Sequence, residues 1–222
     1  MSERKAALLV VLGLAAAAAG CGGNEQRVVN QYFNALRAND QQTLSSFAAV
    51  SFDKKVDNWS VTGAEPETRS PATLPDLIKK EKDLEGEQAA NKKAASAYAL
   101  DHYADIEKVR EIEKKNGKIP PGLQAVAEAW KKFNDKDREL KKAVSEAKVA
   151  MEREKRNVIL CVGPRDDVEN LSGDVVNKRV DVNLTIGGQV QPYVVTLRKY
   201  ELTGGPGRIV EKWVVHNIEP KG

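Results

Sequence analysis

The residue types best suited to acid–base or metal chemistry are sparse in this chain: two histidines, His102 and His216, and two cysteines, Cys21 and Cys161. A general base needs an imidazole within hydrogen-bond reach of the group that orients it. His216 stands in Lys212-Trp213-Val214-Val215-His216-Asn217-Ile218, on the face of Val214 and Ile218 if the segment is a strand. Asp181 and Tyr200 lie in neighbouring segments of the same alternating kind and would complete such a pair, although spacing does not establish that they meet. His102, between Tyr98 and Tyr103 in a helical pattern, reads as a packing residue. Two histidines in different substructures plus one thiol do not make a zinc site, and no cofactor is implied. Cys161, within Val158-Ile159-Leu160-Cys161-Val162, reads as a small buried hydrophobe. The run Gly204-Gly205-Pro206-Gly207-Arg208 lacks the Lys-Ser/Thr ending of a phosphate loop and joins two strands, so it reads as a hairpin turn. No catalytic motif emerges, and the chain reads as a non-enzyme.

The elements that must position these residues follow from periodicity. Val28, Val29, Tyr32, Phe33 and Leu36 form one apolar stripe, predicting a helix over residues 25–38. Asn39-Asp40 ends it and caps a second short helix with Leu44, Phe47 and Ala48 inside. Residues 51–73 are poorly patterned. Val56, Trp59 and Val61 suggest a short strand, and Gly63, Pro66 and Pro71 mark loop. In residues 179–186, Val180, Val182, Leu184 and Ile186 alternate with polar residues, which is period two. Gly187-Gly188 predicts a tight turn, 193–202 a second strand, and 208–218 a third. Such a meander needs cover, which the N-terminal helices would supply. The expected fold is α+β: a curved antiparallel sheet packed on N-terminal helices, with an inserted antiparallel coiled-coil hairpin.

The insertion spans residues 74–160, dividing the α+β domain into 25–73 and 161–222. Leu123, Val126, Trp130, Phe133, Leu140, Val144, Ala147, Met151 and Val158 follow steps of three and four, with Asp137 and Glu154 as polar insertions. Leu77, Leu84, Ala95, Tyr98, His102, Ile106, Val109 and Ile112 do the same before the break, interrupted by Glu81, Gln88 and Asn91. The break is Asn116-Gly117-Lys118-Ile119-Pro120-Pro121-Gly122. Two arms of ~40 residues, each roughly 60 Å long, would meet along this seam. The exposed Lys pairs, Lys79-Lys80, Lys92-Lys93, Lys131-Lys132 and Lys141-Lys142, are interspersed with acids and read as a solvated exterior. The tip residues Ile119, Pro120, Pro121 and Leu123 lie far from the core on a stiff turn, and suit contact with a partner.

The chain has 222 residues with a formal net charge of +3, and this near balance argues against nucleic-acid binding. Its hydrophobic fraction of 41% is too high for a disordered chain. Residues 1–20 have a basic start, an uncharged run from Ala6 to Ala19 and small residues before Cys21. This is a secretory-signal pattern, and the run is shorter than the ~20 residues of a bilayer span. Ala18-Ala19-Gly20-Cys21 resembles a bacterial lipobox, with Ala18 where that pattern prefers Leu. The resemblance implies cleavage after Gly20 and acylation (palmitate and related chains) of Cys21, with residues 21–24 as a lipidated tether. Gly22 rather than Asp after the cysteine favours, by the same resemblance, the outer membrane facing the periplasm.

Val28-Val29-Asn30-Gln31-Tyr32-Phe33-Asn34-Ala35-Leu36-Arg37-Ala38-Asn39-Asp40 resembles the opening helix of nuclear-transport-factor-2-like (SnoaL-like, cystatin-like) domains. The closing Trp213-bearing segment is also similar to that family. The resemblance covers about 25–62 and 170–219 and implies a cone-shaped pocket, for which Trp59, Tyr200, Trp213 and His216 are the candidate residues. The long hairpin departs from the family's usual compact form. Three readings follow. The first is a membrane-anchored envelope lipoprotein, non-enzymatic, whose hairpin docks an envelope protein partner. The second is a small-ligand binder or enzyme using the cone. The third is a homodimerisation module.

Overall fold

The computed structural model describes residues 23–205, 209 and 211–222. The signal segment, Cys21 and residues 206–208 of the glycine-rich turn lie outside the described residues. The elements run α1 (Asn24–Arg37), α2 (Gln41–Phe47), β1 (Asn58–Ala64), β2 (Thr68–Pro71), α3 (Leu74–Asp101), α4 (Tyr103–Lys114) and α5 (Pro121–Val162). A 3₁₀ turn (Val168–Asn170) then leads to β3 (Ser172–Ile186), β4 (Gln189–Thr203) and β5 (Val214–Pro220). The fold is α+β, with these five helices and one five-stranded antiparallel sheet.

β3 and β4 pair along their whole length, from Ser172 opposite Thr203 to Ile186 opposite Gln189. Gly187 and Gly188 close the hairpin with φ of +57° and +78°. A two-residue turn matching the strand twist needs left-handed backbone at both positions, which glycine adopts without a Cβ clash. β1 and β2 share the other edge of β3, with β1 against residues 180–185 and β2 against residues 174–177. β2 occupies a stretch expected to be loop. Its four residues are all exposed, and Pro71 is tolerated there because an edge strand needs no inward N–H. β5 starts at Val214, later than the alternation suggested.

Asp40 caps α2 by accepting from the Thr43 amide at 2.9 Å, and Asn39, at φ +55°, reverses the chain before it. Val29, Tyr32 and Phe33 of α1 are fully buried. Phe33 meets Tyr32 and Phe52 edge-on and lies tilted on Trp59 at 5.5 Å, and Phe52 meets Tyr193 edge-on. These pairs join α1 to the sheet through Val180, Val182, Leu184, Val195 and Leu197, all buried. The N-terminal helices are not the sole cover. Leu74, Met151, Val158 and Cys161 belong to the same core cluster, so the base of the helical segment is part of the domain interior. Burial along β4 also changes phase, from Tyr193, Val195 and Leu197 to Tyr200 and Leu202. Side chains alternate faces, so the two ends of this strand bury opposite faces. Tyr200 is turned toward α5, where its hydroxyl donates to Glu154.

The helical segment has its N-terminal part divided at His102, where α3 ends and α4 begins. No proline or glycine stands there. The Ile106 amide still donates to the His102 carbonyl, so only one residue departs from the ladder. His102 packs its ring on Tyr98 at 4.3 Å. Contacts across the segment run in opposite chain directions. The Arg110 guanidinium covers Trp130, Tyr98 packs on Phe133, Asn91 donates to the Phe133 carbonyl, and Thr73 donates to Glu154. Pro121, at the first position of α5, loses no helical hydrogen bond because that amide is an orphan in any helix. No helix of the described residues is long and apolar enough to cross a membrane.

Candidate functional site

The site is built where the base of α5 meets β4 and β5. β5 pairs Val215 with Leu197 and Asn217 with Thr196, leaving His216 as an extra residue between them. This bulge breaks the alternation: Val214 and Val215 are both buried, and His216 is re-aimed. The face expected for His216 from strict period two is therefore lost. The imidazole lines two adjoining clefts. One, of about 510 Å³, lies against Leu77, Ala150, Arg153, Glu154, Asn157 and Arg198. The other, of about 380 Å³, lies against Ser45, Ala48, Val50, Arg153, Arg156 and Leu160.

Glu154 is the hydrogen-bonding centre. Its Oε1 accepts from Tyr200 Oη at 2.7 Å and from Thr73 Oγ1 at 3.1 Å, and its Oε2 accepts from Asn157 Nδ2 at 3.2 Å. Tyr200 is fully buried, and its phenol is held far above the ordinary range by burial first, then by its hydrogen bond to the Glu154 carboxylate. It is a fixed donor at physiological pH. His216 is pushed down to about 4, mainly by burial and then by the positive charge of Arg198, so its imidazole is neutral at pH 7. Its Nδ1 is buried with no hydrogen-bond partner among the described residues. Arg198 donates from Nε to Asn177 Oδ1 at 2.9 Å.

The structure brings Tyr200 and His216 to one locality, with Glu154 between α5 and the sheet. It places the other residues singled out by sequence elsewhere. Asp181 is engaged by Lys221 Nζ at 2.8 Å rather than by His216. Trp59 donates from Nε1 to Asn30 Oδ1 at 2.9 Å, with the Arg37 guanidinium over its ring. Trp213 lines a separate cleft of about 490 Å³ beside Arg27 and Phe47, with Lys199 Nζ over its ring at 5.1 Å. Cys161 is fully buried, and burial pushes its thiol up to about 12, which leaves it without nucleophilic character at neutral pH. At the far end of the helices, Ile119 and Leu123 are half-buried and Pro120 and Pro121 exposed.

Sequence reasoning missed Arg153, Arg156, Asn157 and Arg198 as members of a site. The available signal was Glu154, one of the two carboxylates, with Asp137, that interrupt the apolar stripe of α5. Among the described residues no group of three metal-ligating side chains comes together. The larger cleft sets Arg153 and Arg198 against Glu146 and Glu154, whereas the smaller carries Arg153, Arg156, Asn157 and the neutral imidazole with no carboxylate, and is suited to holding a negatively charged molecule by hydrogen bonds and charge. Comparison with known proteins adds no relative: no family model, no curated protein and no solved structure matches the chain.

Proposed function

We propose that this chain is an envelope lipoprotein, tethered through an acylated Cys21 to the outer membrane. It would work as a non-enzymatic scaffold whose α3–α5 segment is an inserted coiled-coil hairpin that docks a partner protein. One observation carries the reading: α5 is a single 42-residue helix that begins at the tip with Pro121 and ends with Val158 and Cys161 fully buried in the core. An arm rooted in the core transmits position, where one on a loose linker would not. Along it, seam residues Ile106, Val109, Leu140 and Ala147 are buried, as knobs packed between two helices are. The tether supports the anchoring half of the reading. Three residues, Cys21 to Gly23, precede α1, which at about 3.5 Å per residue would hold the folded domain within about 10 Å of the lipid surface.

The test is photocrosslinking in whole cells from a reactive residue at Ile119, followed by mass spectrometry. The expected outcome is one dominant envelope protein. Replacing residues 116–122 by a glycine linker should abolish capture while the thermal transition of the sheet persists. Absence of any product from an intact, anchored protein would reduce the arm to a spacer.

A further inference from the structure

The paired clefts around His216 have a chemical bias that the scaffold reading does not use. Five arginines elsewhere in the chain are matched with carboxylates: Arg69 with Glu201, Arg110 with Glu107, Arg138 with Asp135, Arg165 with Asp167, Arg179 with Glu65. Arg37 instead meets Asn34 and the Trp59 ring. Arg153, Arg156 and Arg198 form no salt bridge among the described residues, although Glu154 lines the larger cleft with Arg153 and Arg198. Glu154 is committed to Tyr200, Thr73 and Asn157. Glu146, which also lines the larger cleft, lies 3.9 Å from Lys142. Arg153 and Arg156 are three residues apart on α5, hence on one side of the helix.

We propose that this cleft binds a small phosphate monoester. The smaller cleft is lined by two guanidiniums, Arg153 and Arg156, and by no carboxylate, an excess of positive charge that a dianion neutralises and a monoanion does not. The planar guanidinium fork matches two phosphate oxygens at once. His216 lines the same cleft, and its imidazole adds a ring N–H that can donate one hydrogen bond. The rest of the lining includes Ala48, Ala49 and Val50 from the segment after α2 and Leu160 one turn beyond Arg156, all apolar, so the ester's organic part would have a compact hydrocarbon character. A volume of about 380 Å³ in the smaller cleft fits a phosphate carrying one ring or a short chain.

The test titrates the full chain, in detergent micelles, with phenyl phosphate, benzoate and phenol by calorimetry. Phenyl phosphate should bind about tenfold or more tightly than benzoate, and phenol should give no saturable heat. The double variant R153Q/R156Q should weaken phenyl phosphate about tenfold, the single variant R156Q less, and R179Q, with its guanidinium paired elsewhere, not at all. Arg153 and Arg156 are exposed, so the urea midpoint of both cleft variants should match the parent. Binding of benzoate as tight as phenyl phosphate, no binding of phenyl phosphate, or undiminished binding in R153Q/R156Q would each overturn the proposal. Vesicles containing phosphatidic acid separate the two sources of the same chemistry. Competition with phenyl phosphate identifies a lipid headgroup and no competition a soluble ester, and both require the cleft to bind.

Discussion

Two polar interruptions of the same helical seam behave differently. Asn91, in the middle of the arm, is 6% exposed and donates to the Phe133 carbonyl across the two helices. Glu154, near the root of α5, occupies the same kind of position but reaches out of the helix pair to Tyr200 of the sheet. Asn91 is closed within the arm and sets which turn faces which, as a single polar seam residue does in paired helices. Glu154 joins arm to sheet and leaves basic groups around it unneutralised. A polar seam residue therefore records its surroundings: register where helices alone surround it, a site where a second element meets it.

The comparison breaks most readily at Glu154. Glu154→Leu removes the acceptor of a fully buried Tyr200 hydroxyl and should destabilise the chain by about 2 kcal/mol, read from urea unfolding. An unchanged midpoint would mean that the Glu154–Tyr200 contact does not join arm to sheet.

His216 gives a smaller, pH-dependent effect. Its folded pKa is lowered to about 4 against an unfolded value near 6.5, so between those values the unfolded chain binds more protons. Stability is then full above pH 6.5 and falls as pH drops toward 4. The loss should be about 1–2 kcal/mol, discounted for water reaching the open cleft. The groups facing it are Arg153, Arg198 and Glu154. His216→Gln should flatten the difference between unfolding at pH 7 and at pH 5, and a parent and variant with the same pH slope would contradict this.

The smallest change sharpens the arm side. Asn91→Leu should raise stability by about 1 kcal/mol while losing register specificity, seen as a mixture of sizes on gel filtration. Destabilisation with a single species would show that Asn91 contributes more by its hydrogen bond than it costs by burial.

Much of the fold was legible locally. The α1 stripe, the Asp40 cap, the Gly187-Gly188 turn and the alternation from Val180 to Ile186 all depend on residues within a few positions of each other. β2 was not legible, because Thr68–Pro71 is exposed and is a strand only by pairing with residues more than a hundred positions away. The site was half legible. Tyr200 and His216 stand out by type, but a bulge that removes one residue from register leaves no mark in a single sequence. Nothing in the order of residues sets Arg153 and Arg156 apart from the other charges along α5.

The sequence alone determined the class of the segments with a clear apolar period, α1, the long helices and the β3–β4 hairpin, because helix and strand periods are set by backbone geometry and show in the order of apolar residues. It also placed a long helical segment between two parts of one sheet. Only the tertiary structure decided that the base of α5 joins the core and that the ends of β4 bury opposite faces. It alone made the bulge at His216 bring the imidazole to Glu154, Arg153 and Arg198. Those outcomes depend on how three separately encoded elements meet, and the interactions that select one meeting act between residues far apart in the chain.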